Sequence, residues 1–530
     1  MNNNDILNGE HPYLNTSQDL DLQKVANVLK NSDENCCCIR LWHPKLVARS
    51  YGKEKRLFCP PPIISLMGNG WNSNRIEMRT NLSTYREQLQ NTLWHAEADG
   101  APAEETKRLK TLLNKVPDLP LNLTLKVGIN DGTTPFVASL EKETMVKCLF
   151  ISSVDRRRYF KLSCEFTQYL GPSTIYPTRF IGKFESSEIR VVSKPPKKHT
   201  VRAYDSAYIS LKSGNQVALF IRTRSQAVST RFLCVDDPIL VASSDHWSSF
   251  YIYAVDTDEN ADSEKTFAIR QGFICYNHVV RLVDALTGIS TPNLILRKVD
   301  KNFIQVAPQS KNESVAMMQR VSFQFCDTAS SYFGICGNSV IQQTAEIIGH
   351  EAHGSTDAIA WYITNSEYIE YKYFEAMGPT LEPIAPVPFI KTAQLEGVQE
   401  NNTVIELYGI NLGQHLSVYF GLSLSHVTFV NSSYIRCHVP PLLEVLKYSE
   451  MEVHKITRNG SHQVPITLIR KDGVVYPTGI EFQYSTFSAG EIGKIVYKNP
   501  LNVDDNNAEE ENQLQLLEET LSLDEEEEFF

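Results

Sequence analysis

Residues 49–62, RSYGKEKRLFCPPP, hold the densest recognition chemistry in this chain of 530 residues. Arg49, Lys53, Lys55 and Arg56 set four cations against Glu54 alone, with Tyr51 among them, and the run ends at Pro60, Pro61 and Pro62. Proline fixes φ and lacks an N–H, so the spacing predicts a short, stiff strand that stops hard. An arginine fork held on such a strand can read guanine O6 and N7 in a major groove. A solvated basic strand has the same composition, so this segment alone does not decide between the two.

A second basic-polar segment tips the balance. In VALFIRTRSQAVSTRF, residues 217–232, Arg222, Arg224 and Arg231 are interleaved with Ser225, Gln226, Ser229 and Thr230. That mixture offers cations for phosphates and short hydroxyl or amide groups for base edges. Between the two lies SKPPKKH, whose Lys194, Lys197 and Lys198 ride a proline-stiffened stretch suited to phosphate contact. SSVDRRRYF adds Arg156, Arg157 and Arg158. Four such segments point to a surface for duplex nucleic acid.

Enzyme chemistry is not indicated, and no cofactor or metal is expected. His350-Glu351-Ala352-His353 is one residue short of the zinc H-E-x-x-H spacing and reads as a turn. The chain contains no phosphate-binding glycine loop of the Walker or dinucleotide type and no G-x-S-x-G elbow. Eleven cysteines without metal spacing read as free thiols of a reducing compartment. The absence of any long apolar run argues against a membrane span, and the polar first thirty residues against a signal peptide, so the chain reads as intracellular.

The elements that position these segments read as all-β. The net charge is −11, but residues 499–530 hold twelve Asp or Glu and no Lys or Arg, so removing them leaves a body near +1. Residues 488–530 are expected to be an acidic disordered tail, with one amphipathic stretch around Leu514, Leu516 and Leu517, and residues 1–34 a flexible lead. Period-two alternation, as in KCLFISS and FKLSCEF, predicts a sandwich over 35–200, interrupted by a helical hairpin at 82–116 about Gly100-Ala-Pro102. Residues 201–355 alternate in short strands, compatible with a barrel, a trefoil or a sandwich. Residues 356–388 read as a linking strand and linker. Residues 389–487 pair Ile405/Leu407, Ile466/Leu468 and Ile480/Phe482 on single faces, with a tight turn at Asp472-Gly473, and read as a small immunoglobulin-like sandwich.

RSYGKEKRLFCPPP, LMGNGW, RVVSKPPKKH, VALFIRTRSQAVSTRF, LRKVDK and YFEAMGP…PVP follow one another in an order that resembles the CSL family, the Suppressor-of-Hairless or recombination-signal-binding-protein-J type of transcription factor in Notch signalling. The resemblance runs from about residue 38 to 486. It implies a Rel-homology amino-terminal domain, a β-trefoil and a Rel-homology carboxy-terminal domain of immunoglobulin type, bound as a monomer to GTGGGAA-like double-stranded sites in the nucleus, with the cytoplasm also open. By the same resemblance Arg56 reads the major groove beside Glu54 and Lys55, Arg222 and Ser225 lie at the DNA, and Gln342 reaches the minor groove. Glu54 could accept from cytosine N4 or hold a neighbouring cation.

The resemblance also implies partners: a Notch intracellular domain, a Mastermind-type coactivator and corepressors. A tryptophan-bearing peptide would enter a trefoil pocket at Phe267, Ile269, Arg281, Ile289 and Ser290, with Leu395 serving corepressors. Phe267 and Ile269 are also spaced as ordinary core neighbours. This chain departs from the pattern after Trp71, where NSNRIEM replaces a lysine run, at Arg281 and Ser290, and in its tail. Two function classes follow, a DNA-bound factor exchanging activators for corepressors, and a scaffold or Notch-independent paralogue with weakened DNA binding.

Overall fold

A computed structural model describes residues 14, 19–115, 123–130, 134–169, 178–193, 209–224, 228–255, 269–306, 313–348, 352–396, 403–451, 453–458, 460–485 and 493–498. The chain divides into two compact units, residues 1–388 with 469–476, and residues 389–468 with 477–530. Strands dominate both. Among the described residues no helix is long and apolar enough to cross a membrane.

One strand organises the first unit. Trp361–Glu375 runs fifteen residues, well beyond the usual five or so, through a sequence rich in aromatic and β-branched residues. Its first residues belong to one domain: Tyr362 to Asn365 pair antiparallel with Val217 to Phe220, and Trp361 and Tyr362 with Val321 and Arg320. Its later residues belong to another: Ser366 to Tyr373 pair with the whole of Cys37–Pro44.

The domain built on the first half is a chain of antiparallel strands from Asn215–Arg224 to Ser339–Thr344. Phe250–Val255, Val279–Asp284 and Leu294–Asp300 alternate inward and outward, and Leu219, Ile221, Leu233, Ile252, Leu282, Leu296 and Phe323 converge on a single buried cluster with Trp361. The domain on the second half is a sandwich of short strands, including the four-stranded sheet Phe136–Ser139, Leu123–Gly128, Ser163–Tyr169, Thr178–Glu185.

Several expectations about elements need correction. The helical hairpin begins at Gly70, not at 82: its helices are Gly70–Ala98 and Ala103–Lys115. A Cβ on Gly70 would meet the Asn35 carbonyl oxygen at 2.3 Å, so only glycine lets the helix start against that backbone. The lead is not flexible throughout. Asp21 caps a helix at Leu22–Lys30 by accepting from the Gln23 and Lys24 amides, and Val25, Ala26 and Val28 are buried. His353 sits not in a turn but on the strand Ala352–Gly354, where it is buried and its ring nitrogen meets the Tyr332 hydroxyl at 2.7 Å. His350 and Glu351 lie outside the described residues.

The second unit is a two-sheet sandwich. Phe389–Glu396, Val404–Ile410, Tyr434–His438 and Val427–Val430 form one sheet. Ile405, Leu407, Val418, Phe420, Ile466, Leu468, Ile480 and Phe482 are all buried, as period-two patterning on inward faces requires. The span expected to be tail contributes a strand: Gly493–Tyr497 pairs with residues 480–484, with Ile495 and Val496 supplying strand-forming side chains. Residues 499–530 lie outside the described residues.

A buried ion pair joins the long strand to its surroundings. Arg179 and Glu375, exposed by 3% and 1%, are hydrogen-bonded, while Glu375 also accepts from the Thr380 amide at 2.9 Å and from the Asn74 side chain at 2.6 Å. Asn74 lies in the first turns of Gly70–Ala98, so the same carboxylate anchors the helical insertion. Removing one partner leaves a buried charge uncompensated. Glu375→Ala is expected to cost about 3–5 kcal/mol in urea unfolding. A loss below about 1 kcal/mol would show the pair to be dispensable.

Candidate nucleic-acid interface

The first basic segment is not the short strand its prolines suggest but a turn followed by an extended stretch held by isolated bridges. Tyr51 and Glu54 exchange backbone hydrogen bonds at 3.2 and 3.0 Å around Gly52, whose φ of 58° suits glycine at a tight turn. Beyond the turn, the Phe58 amide donates to the Leu149 carbonyl at 2.9 Å and Leu57 bridges Phe150, so the segment is laid along residues 149–151. The Ser50 hydroxyl accepts from the Arg56 amide at 3.1 Å. Lys55 spreads over the Phe150 ring at 5.0 Å. Arg56 is half-buried; one guanidinium nitrogen lies 3.4 Å from the exposed Glu54 carboxylate, a loose contact that leaves the fork open to exchange.

The second segment is an antiparallel hairpin, Asn215–Arg224 with Val228–Asp236, in which Arg222 faces Thr230. Phe220 and Tyr362 stack at 5.1 Å and 10°, and the Arg222 guanidinium lies over both rings at 5.4 and 5.5 Å. Such a platform holds a guanidinium in a fixed plane while leaving its edge available. Burial pushes the Cys59 thiol up to about 11 against the pull of Arg222, so it stands beside the arginine as a neutral thiol at neutral pH.

A shared apolar cluster brings the two segments to one place. Trp42 and Ile63 from the amino-terminal domain pack with Ala218, Phe220, Phe232 and Trp247. Trp247 donates its ring N–H to the Pro61 carbonyl at 2.7 Å and meets Trp42 edge-on at 5.8 Å. Aromatic pairs of this kind add about 0.5–1.5 kcal/mol beyond the area they bury. Above this cluster opens a groove of about 710 Å³. Lys55, Arg56, Lys147, Arg222 and Arg231 line it, with Glu54, Ser229, Thr230 and Ser244 and an apolar floor that includes Phe58, Phe220 and Tyr362. Five cations, short hydroxyls and flat ring faces in one groove suit a polyanion that also presents base edges.

The other expected residues distribute as follows. Tyr51 is exposed on the turn. Arg224 closes its strand, and Lys194, Lys197, Lys198, Ser225, Gln226 and Phe267 lie outside the described residues. Gln342 stands on the hairpin opposite Phe333, donates to Thr328 at 3.4 Å and does not line the groove. Arg157 is committed to structure, donating to both Asp155 carboxylate oxygens and to the Ile129 carbonyl, and Arg49 donates to the Arg157 carbonyl at 2.8 Å. Lys147 escaped sequence reasoning because it stands as a lone cation between Val146 and the Cys148-Leu149 pair, and only the fold carries it to the groove.

A separate patch gathers the residues expected to meet a peptide. Ile269 pairs with Val255, Arg281 with Tyr253, and Ser290 bridges Val283, so strand alternation places Ile269, Arg281 and Ser290 on one outward face. The opposite face carries Ile252, Val280 and Leu282 into the core. Ile269 is 45% exposed, which removes the core reading for that residue. Ile289 is half-buried next to Ser290, and the Arg281 side chain donates to Asn293 at 3.0 Å. Leu395 is partly buried in the second unit, opposite Ile405.

Comparison with known proteins decides the family. Residues 39–203 match the domain described as LAG1, DNA binding, residues 236–361 the β-trefoil DNA-binding domain, and residues 387–484 a TIG domain. A human protein named recombining binding protein suppressor of hairless-like protein is 30% identical over 455 residues, covering 84% of this chain and 79% of its own length. This chain belongs to the CSL family of DNA-binding transcription factors. The mouse protein of the same name is 30% identical over 473 residues, 87% of this chain and 83% of its own length. The fission yeast transcription factor cbf12 is 22% identical over 536 residues, 90% of this chain and 52% of its own length. The groove thus lies where the two matched DNA-binding domains of a CSL protein adjoin, with Lys55, Arg56 and Lys147 within the first match, Ser244 and Met318 within the second, and Arg222, Arg231, Phe232 and Tyr362 on the strands that flank the second match and pair with one another.

Proposed function

We propose that this CSL protein acts in the nucleus as a sequence-specific factor of the Notch pathway type, binding GTGGGAA-like duplexes through the groove and exchanging corepressors for a Notch intracellular domain and its Mastermind-type coactivator. One observation carries the reading: the arginine of the amino-terminal segment and the arginine of the trefoil hairpin line the same groove. Arg56 is the base reader, its fork loosely held by Glu54 until a guanine acceptor pair replaces the carboxylate. Arg222, fixed on its aromatic platform, and Arg231 and Lys147 take phosphates or the sugar edge. Lys194, Lys197 and Lys198 extend the phosphate contact. Without the lysine run after Trp71, sequence preference is kept at lower overall affinity.

Partner exchange is assigned to the outward face of the trefoil around Ile269, Arg281, Ile289 and Ser290, with Phe267, outside the described residues, as a further proposed peptide contact and Leu395 as a separate corepressor position. An apolar patch of this kind takes a partner's tryptophan as its anchor, while Arg281 at the rim affects association rate more than affinity.

Arg56→Ala is expected to cost about 1–3 kcal/mol on a GTGGGAA duplex and to relax preference at one guanine, read by competition binding at stated salt. If the variant keeps its preference and binds every duplex more weakly, Arg56 is a phosphate contact instead.

Phe267→Ala is expected to weaken a tryptophan-bearing Notch-type peptide by about 2 kcal/mol or more in titration calorimetry, leaving duplex affinity unchanged. Loss of both activities would mark Phe267 as core, and no heat with the wild-type protein would remove the peptide pocket.

A further inference from the structure

Lys147 does not face the groove alone. Its ammonium lies 2.6 Å from a carboxylate oxygen of Asp245, and the other oxygen accepts from the Ser244 hydroxyl at 2.7 Å. Lys147 and Ser244 both line the groove, as does Arg231, whose charge also acts on Asp245. Asp245 lies two residues beyond the end of the strand Ile239–Ser243, and its amide donates to the Ser243 hydroxyl at 3.1 Å, which holds its backbone at the groove lip. An ammonium and a hydroxyl on one oxyanion, with a guanidinium charge in the same groove, are the groups a backbone phosphate would meet. The anion they hold in the free protein belongs to the chain itself.

We infer that Asp245 occupies the seat of a DNA backbone phosphate, so that the duplex must displace it from Lys147 and Ser244 on binding. The inference rests on the groove being the duplex site. The side chains of Lys147 and Asp245 are 51% and 78% exposed, so the pair contributes little to folding and can open without disturbing the sandwich or the trefoil. The exchange trades one oxyanion for another. Its consequence is on affinity: part of the attraction between Lys147 and a phosphate is spent on releasing Asp245, equally for every sequence. The chain then carries a built-in restraint on non-specific binding, which depends most on phosphate charge.

The test is Asp245→Asn in the full chain, with fluorescence anisotropy on a GTGGGAA duplex and on a scrambled duplex from about 50 to about 200 mM salt. The expected result is a gain of about two- to fivefold at the low-salt end, the range an exposed ion pair spans. The gain appears on both duplexes, and the slope of log K against log salt steepens by about 0.9, one further phosphate neutralised. In a Lys147→Ala background the same substitution should leave the slope unchanged, and Asp245→Glu should behave as wild type. Unchanged affinity and slope would overturn the inference, as would weaker binding or a gain on only one duplex, which would mark Asp245 as a positioning or base-reading residue. Failure of the wild-type chain to bind either duplex overturns the groove reading itself.

Discussion

The sharing of one strand by two domains is the constraint on which the rest of the first unit depends. Because Trp361 to Asn365 are hydrogen-bonded into the trefoil and Ser366 to Tyr373 into the amino-terminal sandwich, neither domain can shift against the other without breaking a continuous ladder. A ladder break would leave buried amides and carbonyls unpaired, a cost of about 1–3 kcal/mol for each group. The aromatic cluster of Trp42, Phe220, Phe232 and Trp247 fills the angle between the domains on the same side. Rigid placement is what a recognition groove needs: Arg56 and Arg222 come from segments more than 160 residues apart and are held on one surface without help from ligand.

Electrostatics in the groove is local rather than global. The chain is acidic overall at −11, yet the groove lining holds five cations and Glu54, with Asp245 at its lip. Arginine and lysine are deployed differently. Arg222 is immobilised over Phe220 and Tyr362, where its planar fork loses little further freedom on binding, whereas Lys55, over the Phe150 ring, and Lys147, paired with Asp245, present compact point charges nearer solvent. The two carboxylates temper that field where it faces solvent. Net charge would have argued against a nucleic-acid partner, and the distribution of charge argues for one.

Much of this was legible in the chain because it is local. RSYGKEKRLFCPPP and VALFIRTRSQAVSTRF announce themselves by charge density beside prolines and alternating apolar residues, and the period-two pattern carries the sheet assignment. What escaped is what tertiary packing decides. Gly70, Asn72, Ser73 and Asn74 are poor helix formers, yet the helix begins there because Asn74 docks on Glu375 and Gly70 fits beneath the Asn35 carbonyl. Arg157 looks like any surface arginine in DRRRY, but Asp155 two residues earlier had already claimed it. Lys147 and Asp245 are single charges in unrelated segments, meaningful only once the fold brings them within 2.6 Å. The helix capped by Asp21 could have been found from its cap and from the spacing of Leu22, Val25, Ala26 and Leu29.

The central claim, that two segments from two domains form one duplex site, is open to amide hydrogen exchange on the full chain with and without a GTGGGAA duplex. The account predicts that slowing of exchange appears together at residues 50–58 and 219–232 and saturates at the same duplex concentration, with the face around Ile269 and Arg281 unaltered. Protection confined to one of the two segments, or appearing first on the Ile269 face, would contradict it.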